Sequence, residues 1–184
     1  MNVENKMLQH YRTVYKMDEH GLETLSQEEL EEIREEVKAT CRRAFVDSLT
    51  EMMVSDPPAY DWIVKLYGEI RGRLIALVRE GSALRNEIED SMDTDLFSQM
   101  IRNDAFKPDD LHKLVSYTFT KCKELGSPAR DNETDQKMQE IIEVMQSGTA
   151  SFATVVPLYT VNINHCIDMV YEDLHQLLST QKRE

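Results

Sequence analysis

Between Ile63 and Val78, the apolar residues Ile63, Leu66, Tyr67, Ile70, Leu74, Leu77 and Val78 recur at helical intervals. That spacing gathers them on one face only if the backbone winds as an α-helix. Lys65, Glu69, Arg71 and Arg73 fall mostly on the other faces, so the segment is amphipathic and needs neighbours to cover its stripe. Pro57 and Pro58 break the chain just before it. Pro58 fits a first helical position, where its missing N–H costs nothing. Trp62, the chain's sole tryptophan, falls in the first turn. The stretch 56–79 is therefore expected to be the helix around which the others pack.

The same reading extends along the chain. Residues 1–24 carry a thin stripe of Val3, Met7, Tyr11, Val14 and Tyr15, which fits either a short docking helix or a tail. Ser26-Gln27-Glu28-Glu29 has the form of a capping box, in which Ser26 and Glu29 satisfy each other's free N–H groups. Leu30, Ile33, Val37, Cys41, Phe45 and Leu49 then share a face. The six glutamates between Glu28 and Glu36 favour the positive end of the helix dipole, although pairs such as Glu28/Glu32 repel. They fit a solvated helix start, or a docking site for basic residues.

Gly81-Ser82 stops one helix and caps the next, lined by Leu84, Ile88 and Met92; Asp93 caps another with Leu96, Met100 and Ile101. Lys107-Pro108-Asp109-Asp110 and Ser127-Pro128-Ala129-Arg130-Asp131 both read as helix starts, with proline first and acids early. The first leads the face Leu111, Leu114, Val115, Thr118, Cys122, Leu125. The second leads a helix from about Pro128 to Gln146 with Met138, Ile141, Ile142 and Met145 inside. The last helix, about Ser151 to Ser179, either kinks at Pro157 or truly begins there. No strand pattern or fixed repeat is present. The expected fold is all-α, a single bundle of about six to eight helices over residues 25–179, with 180–184 a frayed tail.

Composition narrows function mostly by exclusion. A formal charge of −13, from 21 basic and 34 acidic residues, disfavours a nucleic-acid partner. Lys121 and Lys123 with Tyr117 and Phe119 are too few to make an RNA platform. Cys41, Cys122 and Cys166 are odd in number and widely spaced, so a reducing compartment is expected and a disulfide framework is not. No apolar run reaches membrane-spanning length, and the start of the chain lacks a signal peptide's core, which implies a soluble, cytoplasmic protein.

Chemistry is hard to find. No two of the five histidines lie four apart on one helix, and His165, Asp168 and Glu172 make only a thin ligand set. Cys166 points about 100° from His165 on a helix, which argues against a thiolate–imidazole pair. There is no nucleophile elbow and no phosphate-cradling glycine loop. The 10 methionines at core spacing read as adaptable packing. The chain is expected to be no enzyme, with no catalytic, cofactor-binding or metal residues and no cofactor.

Three ordered segments carry a resemblance. They are Phe45-Val46-Asp47-Ser48-Leu49 followed by Asp56-Pro57-Pro58-Ala59-Tyr60-Asp61-Trp62 and Leu66 through Arg71 to Leu74; Leu84-Arg85-Asn86-Glu87-Ile88 leading to Met92-Asp93-Thr94-Asp95-Leu96; and Ser127-Pro128-Ala129-Arg130-Asp131. Together, with a looser likeness at Asn162–Ile167, they resemble the T-complex protein 11 family over roughly Leu25 to Leu178, the third segment matching its P-x-R-D signature. Val46 stands where that family commonly has tryptophan, and Gly126-Ser127 where it has Cys-Ala. Family chains generally run longer at the C-terminus, which would make this a short form with an apolar face left for a partner.

The resemblance implies a non-enzymatic protein linked to cyclic-AMP/protein-kinase-A signalling and to sperm function, including capacitation and the flagellum. Its partners would be proteins of that pathway or of the flagellum. The bland alternative is a generic acidic helical scaffold or oligomerisation module. Pro128, Arg130 and Asp131, with Arg71 and Arg85, are the candidate residues. Two roles stand for the Arg130–Asp131 pair. It locks a helix start against a neighbour, with Glu69 or Asp95 receiving Arg130 and Arg79 or Arg85 joining Asp131, or it forms a recognition edge.

Overall fold

The computed structural model describes residues 26–56, 58–148 and 150–181. The stripe expected in residues 1–24 lies outside them, as do residues 182–184 of the expected tail. Helices α1 (Gln27–Val54), α2 (Tyr60–Ala76), α3 (Ala83–Ser91), α4 (Thr94–Arg102), α5 (Pro108–Leu125), α6 (Asp131–Gln146) and α7 (Phe152–Gln181) follow in order, with a 3-10 turn at Pro128–Arg130. Among the described residues there is no strand, and the fold is all-α. None of these helices is long and apolar enough to cross a membrane. The chain divides into two compact units, Met1–Ala44 and Phe45–Glu184.

In the first unit, the start of α1 carries the expected capping box. The Ser26 N–H donates to Glu29 Oε2 at 2.8 Å, and the Glu29 N–H to Ser26 Oγ at 3.2 Å. The Ser26 bonds hold the Glu29 pKa below the usual 4.5. Arg34–Glu31 at 3.2 Å and Lys38–Glu35 at 2.6 Å add exposed one-turn ion pairs, each of small value in water.

The second unit holds the bundle. Most of its starts follow the local rules: Ser82 accepts the Arg85 N–H, Asp93 accepts those of Asp95 and Leu96, and Asp110 accepts that of Lys107. Gly81, at φ 72°, supplies the left-handed step that ends the turn before α3 at no steric cost. The start of α2 differs from expectation. α2 begins at Tyr60, two residues after Pro58, because Ala59 takes the capping position. α7 begins at Phe152, beside the expected Ser151, and Pro157 lies inside it. Ser151 and Thr154 exchange backbone-to-hydroxyl bonds at 3.1 and 3.2 Å, so the first turn closes ahead of the proline.

The expectation that others pack around the 56–79 helix is only partly met. α2 touches α3, α4 and α7, while α7 touches α2, α5 and α6. α7 buries more than one stripe: Val155, Val156, Tyr159, Ile163, Cys166, Ile167, Met169 and Val170 are all in the core. A single-face pattern had no way to show that helices cover it on several sides. An aromatic ladder runs between α2 and α7: Tyr67 stacks on Phe97 at 4.0 Å, Phe97 meets Phe106 edge-on at 5.2 Å, and Phe106 meets Phe152 at 5.9 Å.

Candidate functional site

The turn joining α5 to α6 sits close against the last helix. A side chain on Gly126 would bring its Cβ within 2.9 Å of the Cys122 carbonyl oxygen and 3.2 Å of Val170 Cγ2. Glycine is the residue that allows this approach. Ser127 Oγ accepts the Ala129 N–H at 3.4 Å, and the Arg130 N–H donates to the Ser127 carbonyl at 2.9 Å. Pro128 occupies the first position of the 3-10 turn, and Asp131 opens α6. The expected serine, proline and early carboxylate are all in the places a helix start requires.

Arg130 faces three carboxylates. Its nitrogens lie 3.5 Å from Asp173, 3.7 Å from Glu172 and 3.8 Å from Glu133. The expected acceptors Glu69 and Asp95 are not among these, because α6 packs on α5 and α7 rather than on α4. Arg85 pairs with Glu89 in its own helix at 3.0 Å instead of with Asp131. Arg71 is not brought to the turn, and its Nε is buried without a hydrogen-bond partner. Asp131 lies near Lys123, whose pKa is raised chiefly by its hydrogen bonds to Asp135 at 2.8 Å, with Asp131 adding to the effect.

One turn on, His165 Nε2 lies 2.8 Å from Glu133 Oε1. On the other side of α7, Arg73 donates to Asn164 and, at 2.5 Å, to Asp168; Tyr171 Oη donates to the Arg73 carbonyl at 2.9 Å. Sequence reasoning missed Arg73. Its one available signal was a position beside Leu74, at the edge of the apolar stripe. The Asn162 amide donates to the Lys137 carbonyl at 3.2 Å and to Glu140 at 3.1 Å. α7 is thus clamped by polar side chains on both the α2 and the α6 side.

The same pairings dissolve the thin ligand set of His165, Asp168 and Glu172, whose partners are Glu133, Arg73 and Arg130 respectively. Among the described residues, no group of three His, Cys, Asp or Glu is placed to hold a metal ion. Burial pushes the Cys122 thiol up to about 12 and Cys166 to about 11, so neither offers a thiolate near neutrality. Lys121 is buried and pairs with Glu87 at 2.8 Å and Glu124 at 2.7 Å. Burial opposes its charge, but the two carboxylates outweigh burial and raise its pKa. Lys123 is likewise held by Asp135 at 2.8 Å.

The Glu133–His165 contact has a measurable consequence. The hydrogen bond from His165 holds the Glu133 carboxyl below its usual 4.5. A depressed carboxyl stabilises the fold above its ordinary pKa, and that contribution is lost as pH falls through the folded value. Thermal melts from neutral pH to below 4.5 should therefore fall more steeply for the native chain than for Glu133→Gln. Parallel acid limbs would show that the contact adds nothing.

Comparison with known proteins places this geometry in context. The model of the family described as T-complex protein 11 matches residues 23–170. T-complex protein 11-like X-linked proteins 1 and 2 of Homo sapiens are each 33% identical over 104 residues, covering 56% of this chain and 20% of theirs. T-complex protein 11 homolog of Homo sapiens is 33% identical over 108 residues, 58% of this chain and 21% of its own. The chain thus spans about a fifth of the length of these relatives. No solved structure matches.

Proposed function

Since the chain belongs to the T-complex protein 11 family, we propose that it is a non-enzymatic helical interaction protein that regulates cyclic-AMP/protein-kinase-A signalling in sperm, with effects on capacitation and the flagellum. The observation that carries the reading is the family match over residues 23–170. The engagement of His165, Lys121, Glu133 and Asp168 in clamps between and within helices supports it, since those groups are occupied with holding the bundle. The test adds purified chain to permeabilised sperm stimulated with a cyclic-AMP analogue and follows phosphorylation of kinase substrates. A dose-dependent change is expected. Identical phosphorylation at all doses would overturn the regulatory reading.

A second reading, an acidic scaffold or oligomerisation module, is favoured by one feature. Leu174, Leu177 and Leu178 are 40%, 57% and 49% exposed, at spacing that puts them on one face of α7. Concentration-dependent sedimentation would support it, and a monodisperse monomer would remove it.

Within the first reading we take Arg130 as a lock that holds the start of α6 to α7. Its ion pairs are partly solvated, so Arg130→Ala is expected to cost about 1 kcal/mol or less, a fall in melting temperature of about 2–4 °C. An unchanged melt combined with loss of a partner would make Arg130 a recognition residue instead.

A further inference from the structure

A groove of about 310 Å3 opens between α3, α4 and α5. Its floor is the Tyr67–Phe97 stack with Phe106 and Leu114. On its lip stands Leu96, 54% exposed. Three carboxylates, Asp90, Asp93 and Asp110, border it against the single ammonium of Lys113. Asp93 gives one oxygen to the α4 cap, and Asp110 gives one to the α5 cap and holds the other 3.9 Å from Lys113 Nζ, whereas Asp90, in the last turn of α3, is exposed.

Apolar floor and acidic border together restrict what fits. The volume lies at the low end of cavities that enclose small molecules, roughly 300–1,000 Å3, and Leu96 at its lip is exposed, so the groove suits side chains presented by a larger body. Anionic surfaces such as nucleic acid or acidic lipid are repelled by the border, and by a chain of formal charge −13. A helix with leucines on one face and lysines or arginines flanking them meets both demands. Its apolar face covers Leu96 and the ring edges, and its cations reach the carboxylates.

We propose that this groove is the docking site for a basic amphipathic helix of a protein partner. The inference rests on the reading of the bundle as a contact protein and names the chemistry of one contact.

The test is direct binding to the purified chain, read by fluorescence anisotropy of a labelled leucine–lysine amphipathic helix of about five turns. Two control peptides are a scrambled sequence of equal charge and a leucine–glutamate analogue. The ordered basic helix should bind with one-to-one stoichiometry, the scrambled one at least about tenfold more weakly, and the glutamate analogue not at all. Asp90→Lys and Leu96→Ala, both exposed positions, should each weaken binding by about tenfold, the scale of a well-placed interface contact, with unchanged thermal melts. Leu174→Ala, on the distant end of α7, should bind normally.

Absence of binding, equal binding of ordered and scrambled peptides, or indifference to both groove variants would overturn the proposal. So would sedimentation as a dimer that Leu96→Ala dissociates, since a second copy would then fill the groove. Each of these outcomes leaves the sperm phosphorylation result standing, so the two readings fail separately.

Discussion

Leu74→Asp should leave the chain without its cooperative fold. Leu74 has no exposed surface and sits on α2 where the helix meets the core. The substitution removes a large apolar side chain and puts a carboxylate at a position with no exposed surface, while the neighbouring Arg73 is already committed to Asn164 and Asp168 on α7. Lost burial costs about 2 kcal/mol, and an unpaired buried charge adds several more. Against a total stability of roughly 5–15 kcal/mol for a domain, that is enough to unfold it. Circular dichroism should show most of the helical signal gone at 25 °C or a melt without a sharp transition. Leu74→Met, which keeps volume and polarity, should stay within about 1.5 kcal/mol of the native chain. A Leu74→Asp protein that melts cooperatively near the native temperature would mean that α2 is not part of the core.

Phe119→Ala should be nearly as damaging, by a different route. Phe119 is fully buried on α5, next to the buried Thr118 hydroxyl that accepts from Tyr159 Oη at 3.3 Å. Truncation leaves a cavity that rigid helices fill poorly, at a cost of about 3–5 kcal/mol. The urea midpoint should fall accordingly with the slope unchanged, since the surface exposed on unfolding stays the same. A loss below about 1 kcal/mol would mean that α5 relaxes into the space and is less tightly held than its burial indicates.

These two positions also mark what the sequence made legible. Leu74 sits on a clean single-face stripe, and the helix boundaries are set by bonds between residues at most three apart, such as Ser26–Glu29 and Lys107–Asp110. Local chemistry of that kind is written in local sequence. Phe119 is harder to read: the expected face Leu111, Leu114, Val115, Thr118, Cys122, Leu125 leaves it out, yet it is among the deepest residues, because α5 packs on both α6 and α7. The same limit applies to the candidate site. Arg130 and its turn were recognisable, but its acceptors Glu172 and Asp173 lie about forty residues on, and no spacing rule says which helix α6 will lie beside. Arg73 was missed because its partners Asn164 and Asp168 are more distant still. For Pro157, the sequence left two readings open, and the Ser151–Thr154 bonds ahead of it favour an early helix start.

The proposed function requires that the bundle act through contact made by its folded surface. Affinity capture from testis extract tests that most directly, with tagged native chain and tagged Leu74→Asp as parallel baits and quantitative mass spectrometry as the readout. The predicted result is enrichment of protein-kinase-A pathway or flagellar proteins on the native bait alone. Equal recovery on both baits, or no such protein on either, would contradict it.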